Sequence, residues 1–332
     1  MYPTPDDPAY GAFVVTQMAS IARLGHQVRT EFINGRRGKW EYLAAIMRVR
    51  RAASRGGCDV VHAHYGLSGF VASRQRHLPV VTSFCGDDLL GTPARHGGIT
   101  LKSRVIKRLS QGAARAADAI ICKSEQLRQA LARETDRARA HVIANGVDTG
   151  RFTPGDRARA RRALSVDPDM PLIVFPHTRG DIRKRVDLAE AAVARLVADG
   201  VGARLWVVNG VLHDDMPLRY QAADCLLLCS EWEGSPNAVK EALCCDLPVV
   251  STDVGDVRHW IGLAPGCRVV AGEPGALAAA LGEVLRGPRR VDGSRVRVEL
   301  DIMTIAERVS SVYREAIGRA GRSRSKPPYS PA

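Results

Sequence analysis

No stretch of this chain approaches the roughly 20 consecutive apolar residues that a membrane span requires. Met1 leads directly into Tyr-Pro-Thr-Pro, without the charged start and apolar core of a signal peptide. Eight cysteines are present, but their spacing matches no metal-ligand pattern, which excludes a zinc module. Cys122, Cys225 and Cys229 lie in apolar runs and Cys244-Cys245 ends a helical pattern, so buried, reduced thiols in a cytoplasmic protein are expected. Lysine is scarce, with seven among 48 basic residues. No nucleic-acid-binding module appears, nor any interleaving of aromatic with basic residues, so nucleic acid is not an expected partner.

What is present is an ordinary globular balance of 45% hydrophobic and 25% charged residues, over 332 residues, enough for two domains with sizeable cores. The net charge is +13. It has two readings: the arginine bias of a GC-rich genome, or a preference for anionic partners such as a nucleotide, a lipid diphosphate or the inner face of an anionic membrane.

Strand and helix patterns alternate. In the first half the periodicity predicts helices over Ala12 to Leu24, Trp40 to Ala53, Leu101 to Ala116 and Glu125 to Arg133. It predicts strands over Gln27 to Ile33, Asp59 to His64, Pro79 to Phe84, Ala119 to Cys122 and His141 to Ala144. A connection rich in Pro, Gly, Asp and Arg runs from about Arg151 to Pro171. Strands over Leu172 to Pro176, Arg204 to Val208 and Cys225 to Cys229 follow, with helices over Val186 to Ala198 and Ala276 to Leu285. Asp301 to Ile317 reads as a final amphipathic helix. This is an α/β pattern of two doubly wound parallel sheets. The expected division is 1–155 and 156–300, then a helix over 301–318 and a disordered basic tail over 319–332.

One segment carries most of the chemistry. Ser230 to Val257 reads SEWEGSPNAVKEALCCDLPVVSTDVGDV. Glu233 and Glu241 stand eight positions apart. Ser235 reads as an N-cap with Pro236 at the first helical position. The backbone N–H groups of Gly234 to Asn237 then form an anion site at a strand's carboxyl edge. Glu233 stands at its mouth, and Glu241 lies roughly 7–8 Å further along the helix. Two carboxylates so placed can meet two ends of an extended ligand, which is the shape of a sugar nucleotide.

The segment resembles the E-x7-E signature of the retaining GT-B glycosyltransferases of family four, and the resemblance covers nearly the whole chain. VIANGVD (Val142 to Asp148) with Phe152 and Pro154 is similar to the signature near the family's domain junction. Phe175 to Asp187 is similar to a strand-loop segment whose Arg and Lys hold the donor diphosphate. Arg179 and Lys184 keep that spacing, while Thr178 and Arg185 replace its glycines, and Arg183 and Arg185 are alternative cations. Ser83 to Gly91 resembles a loop reading H-G-x-D. Cys85 replaces the histidine there and leaves Gly86 and Asp88, the latter either orienting a hydroxyl or capping the following segment. Tyr10 to Val14 resembles the family's glycine loop, with Gly11 free to approach a phosphate. His62 and His64 alternate on one strand face without a third metal ligand. His64 is either a substrate contact or a structural histidine.

The resemblance implies two Rossmann-like domains facing a cleft. It implies sugar transfer from a nucleotide-diphosphate sugar to a hydroxyl of a glycan or polyprenyl-linked glycan, with retention and without a metal or other cofactor. Glu241 would bind the ribose and Glu233 the sugar. Arg179, Lys184 and the amides of Gly234, Ser235 and Asn237 would hold the diphosphate. Relatives carry an apolar strand ahead of the Tyr2-Pro3 loop, so the first strand reads as missing and the true start is expected upstream of Met1. A sugar-nucleotide 2-epimerase and a catalytically inactive scaffold are the alternatives.

Overall fold

The computed structural model describes residues 11–92, 98–176 and 181–324. The chain forms two compact units. Among the described residues the first unit contains 18–92, 98–144 and 306–324, and the second 11–17, 145–176 and 181–305.

The first unit is built on a parallel sheet of β1 (Val61–His64), β2 (Val80–Phe84), β3 (Ala119–Cys122) and β4 (Ala140–Val142), in the order β1-β2-β3-β4. Strands β2 and β3 are buried throughout, as expected of Val/Ile-rich strands covered on both faces. The second unit holds β5 (Leu172–Pro176), β6 (Arg204–Val208), β7 (Cys225–Leu228), β8 (Val249–Ser251) and β9 (Arg268–Val269), also parallel, ordered β6-β5-β7-β8-β9. Its core packs Ile173, Phe175 and Leu227 against Leu188, Leu196, Leu277 and Leu281 of the covering helices. From β5 the chain moves outward to β6, then returns to β7 on the other side. The carboxyl ends of β5 and β7 therefore flank a topological switch point, where open α/β sheets bind ligands.

Several expectations need correction. Gln27 to Ile33 forms no strand, and β1 has no strand on its outer edge among the described residues. Alternating Val28 and Phe32 gives the right pattern, but a strand exists only where a neighbour takes its hydrogen bonds. The helix expected over Glu125 to Arg133 ends already at Gln129, and a separate short helix, Glu134–Ala138, follows it. The final helix runs over Ile302–Arg324, so residues 319–324 continue it instead of opening a disordered tail. Residues 325–332 lie outside the described residues.

The division between the units falls after Ala144, eleven residues before the expected 155. Side chains and backbone of the connection explain this. Val147 N donates to Leu300 O (2.8 Å), Thr149 Oγ1 to Asp301 Oδ2 (2.7 Å) and Asn145 Nδ2 to Asn237 Oδ1 (3.2 Å), so the connection is sewn into the second unit.

Candidate donor-binding site

At the switch point two loops are knitted together. Glu231 N donates to Arg183 O (2.8 Å), and the Cys229 thiol donates to Arg185 O (3.2 Å). Lys184 Nζ reaches Glu233 Oε1 at 2.5 Å, and Ser230 Oγ donates to the same oxygen at 2.9 Å. The neighbouring cations are held elsewhere. Arg183 pairs with Asp181 through Nε (2.8 Å) and Nη2 (2.6 Å), and its guanidinium lies 4.5 Å from the Trp232 ring centre. Arg185 pairs with Asp187 at 2.9 Å. Of the three consecutive cations, geometry turns Lys184 toward the candidate carboxylate. Arg179 lies outside the described residues.

Arg185 also explains a departure from the family pattern. Its φ of 52° is left-handed, the conformation a glycine at that position adopts without cost. An L-residue there costs about 1–2 kcal/mol, which the packed loops around it hold in place.

The helix after the loop spans Asn237–Cys244, starting one residue later than expected. Pro236 occupies the cap, and Ser235 is not the N-cap. Ser235 Oγ instead donates to Asp256 Oδ2 (2.8 Å) and accepts from Lys240 Nζ (2.9 Å). Lys240 is fully buried, and burial lowers its pKa against the raising influence of Asp256 and Glu241. This chain of polar groups fixes the loop from below. Gly255 fixes it from the side: its φ is +59°, and a Cβ there would lie 3.1 Å from Gly234 O and 3.2 Å from Glu233 O. The glycine turn recognised in the sequence is thus where a second loop backs the first at van der Waals distance. The first N–H groups of the helix, from Asn237 onward, have no acceptor within the helix itself.

Glu241 is buried on the inner face of that helix. His213 Nε2 lies 2.8 Å from its Oε1, and Tyr220 OH donates to its Oε2 at 3.1 Å. Phe152 packs on the His213 ring with centroids 5.1 Å apart. His213 and Tyr220 were not singled out from sequence. The signal available was the polar cluster His213-Asp214-Asp215 ahead of Tyr220 in the short stretch after β6. Burial acts against charge on His213, but the hydrogen bond and charge of Glu241 prevail and its pKa is raised above 6.5. Arg151 opposes and Asp214 assists, and these two pair with each other at 2.7 Å. The charged pair therefore contributes fully below pH 6.5 and is lost as pH rises through the raised pKa.

Gly11 opens the helix Ala12–Arg23 with φ 75°, and its carbonyl accepts from Val14 N (2.9 Å). His64, Gly86 and Asp88 belong to the first unit. Asp88 is fully buried and accepts from Gly86 N (2.8 Å), Gly66 N (3.0 Å) and Cys85 N (3.1 Å). These bonds tie together the loops after β1 and β2. Burial raises its carboxyl to about 7, against the lowering effect of those N–H groups. Burial likewise raises the Cys85 thiol to about 12, so it is no thiolate nucleophile. His62 is satisfied by Tyr313 OH and Ser83 Oγ, each at 2.7 Å, and burial lowers its pKa to about 3. His64 lies beside it, ring centroids 4.3 Å apart, with Nδ1 buried and unpartnered. Among the described residues no three His, Cys, Asp or Glu side chains converge as a metal site.

Residues 2–151 match the family described as Glycosyltransferase Family 4, and residues 179–287 that described as Glycosyl transferases group 1. The D-inositol 3-phosphate glycosyltransferase of Mycolicibacterium gilvum is 28% identical over 277 residues, covering 73% of this chain and 62% of its own length. The D-inositol 3-phosphate glycosyltransferase 1 of Catenulispora acidiphila is 27% identical over 337 residues, covering 86% and 77%. The chain spans about three fifths of the length of the first curated relatives it matches. Among solved structures, sucrose-phosphate synthase from Thermosynechococcus elongatus superposes with a TM-score of 0.71 at 21% identity, over 84% of this chain and 78% of that one. Anabaena Alr3699/HepE, solved with UDP and glucose, gives 0.68 at 16% identity, over 92% and 96%. These likenesses carry the fold: two Rossmann-like α/β units of the GT-B architecture.

Proposed function

The chain belongs to glycosyltransferase family 4, and from that premise we propose that it moves a sugar from a nucleotide-diphosphate sugar to an acceptor hydroxyl, retaining the anomeric configuration. The observation that carries the reading is the pair of carboxylates. Glu233 stands at the switch point in contact with Lys184, and Glu241 stands on the adjoining helix with both oxygens directed into hydrogen bonds. In the proposed complex Glu241 takes the ribose hydroxyls and Glu233 the donor sugar. Lys184, joined by Arg179, meets the diphosphate together with the N–H groups at the start of helix Asn237–Cys244. These cations and amides stabilise the charge growing on the leaving group, so transfer proceeds without a metal or other cofactor. The acceptor class is a glycan or lipid-linked glycan. The names of the curated relatives add a phosphorylated cyclitol to the acceptors worth assaying.

Titration calorimetry with UDP, GDP and ADP, with magnesium and with chelator, tests the reading. One nucleotide binds in both conditions. Glu241→Ala weakens that binding roughly 10–100-fold, the value of about one hydrogen bond to a charged group. Equal affinity in variant and parent removes Glu241 from the site. The anomeric proton coupling in the product then reports retention or inversion.

Ribose binding must take Glu241 from His213, which costs more while the imidazole is charged. Nucleotide affinity therefore rises as the pH climbs above about 6.5 and through the raised pKa of His213. The His213→Asn variant flattens this profile, leaving only the titration of the nucleotide phosphate itself. A profile unaffected by the substitution separates His213 from nucleotide binding.

A further inference from the structure

The helix Lys39–Ser54 buries Ala45, Val49 and Ala53 against the first unit but turns a second apolar stripe outward. Trp40 is 70% exposed, Leu43 53% and Met47 49%. Positions 40, 43 and 47 follow helical spacing and share one face. On the same outward side stand Lys39, Arg50 and Arg51, all exposed. The helix's one acid, Glu41, is held by Arg48 at 2.8 Å, and that pairing lowers its pKa.

A second helix repeats the arrangement. Leu101–Ala116 carries five Lys or Arg residues and no Asp or Glu. Leu101 is 78% exposed and Val105 53%, four positions apart, with Lys102, Arg104 and Arg108 exposed around them. Both helices pack against the helix Gly66–Ala72, so the three lie in one layer of the first unit. Ordinary surface helices place charges of both signs outside and apolar residues inside. Here the outer surface combines large apolar side chains, a tryptophan among them, with cations of a single sign.

We propose that this layer docks on an anionic lipid bilayer surface. Trp40, Leu43, Met47, Leu101 and Val105 enter the headgroup boundary, and the arginines and lysines beside them meet the lipid phosphates. Large apolar side chains with flanking cations are the two elements of interfacial binding: buried apolar area and attraction to anionic headgroups. A protein partner would need matching acidic and apolar groups in a fixed arrangement, whereas a bilayer supplies both in fluid form. Among the described residues no helix is long and apolar enough to cross a membrane, so attachment through this layer would be peripheral.

Flotation of the full chain with vesicles tests the assignment, using phosphatidylcholine alone and phosphatidylcholine containing one third phosphatidylglycerol. The protein floats with the anionic vesicles, less so at high salt, and not with the neutral ones. Tryptophan emission shifts to the blue only with the anionic vesicles, and Trp40→Phe removes the shift. The double variants Arg50→Ala/Arg51→Ala and Leu43→Glu/Met47→Glu each lower partitioning, the first by about thirtyfold. Both keep the parent's thermal transition, because every replaced side chain is exposed. Absence of flotation with anionic vesicles overturns the proposal. So does equal flotation of parent and both variants. A dimer on gel filtration that Leu43→Glu/Met47→Glu dissolves, with no vesicle binding by the parent, reassigns the face to self-association.

Discussion

Lys184→Ala lowers kcat/KM for the proposed sugar transfer by about 10²–10³-fold, the usual cost of removing one preorganised group that stabilises transition-state charge. Lys184 is positioned to matter because its neighbours cannot take its place. Arg183 is bidentate to Asp181 and stacked on Trp232, and Arg185 is turned to Asp187. The role has a structural rival, in which Lys184 serves only to neutralise Glu233. The two separate by experiment. In the structural case Lys184→Ala lowers the thermal transition and the activity together, and the charge-relieved double variant Lys184→Ala/Glu233→Gln restores the transition. In the catalytic case both are inactive while the thermal transition moves by only a few degrees. Full turnover by Lys184→Ala would remove this residue from the chemistry.

Asp224→Ala destabilises the protein by about 3–5 kcal/mol in urea unfolding, because it strands a buried guanidinium. Asp224 stands just before β7. Its carboxylate accepts from Arg161 Nη2 (2.6 Å), Arg157 Nε (2.7 Å) and Leu172 N at the start of β5 (2.8 Å). Arg161 is itself buried and donates further to the carbonyls of Asp167 (2.6 Å), Ala222, Pro168 and Met170 (each 2.9 Å). One carboxylate thus ties the two strands of the switch point together at the edge opposite the candidate site. A loss below about 1 kcal/mol would show that water reaches Arg161 once the carboxylate is gone.

The legible parts of this protein were those with a local cause. The parallel strands β2, β3, β5 and β7 could be read because continuous apolar runs bounded by turn residues have few other solutions. Glu233 and Glu241 could be read because eight positions on a loop and helix set their separation through covalent geometry alone. Glycine at 255 was visible as a turn, though not as the contact that seats the Glu233 loop. The strand at Gln27 to Ile33 misled because alternation reports which side chains can be covered, while pairing depends on a neighbour.

His213 and Tyr220 illustrate the other limit. Each is unremarkable in sequence, lying 28 and 21 positions from Glu241. Only the packing of the stretch after β6 against the helix Asn237–Cys244 brings them to its oxygens. The same holds for Ser235, whose local sequence favours an N-cap but whose hydroxyl is drawn to Asp256 and Lys240.

Sequence by itself determined the α/β class, the loop that bears Glu233 and the helix that bears Glu241, since these follow from short-range spacing and backbone periodicity, and its motifs carried the resemblance to the family. The tertiary structure alone decided which of Arg183, Lys184 and Arg185 turns to Glu233, what holds Glu241, and which helices keep apolar side chains in water. Those outcomes depend on competition among charges and surfaces distant in the chain, and that competition is settled only when the chain is folded.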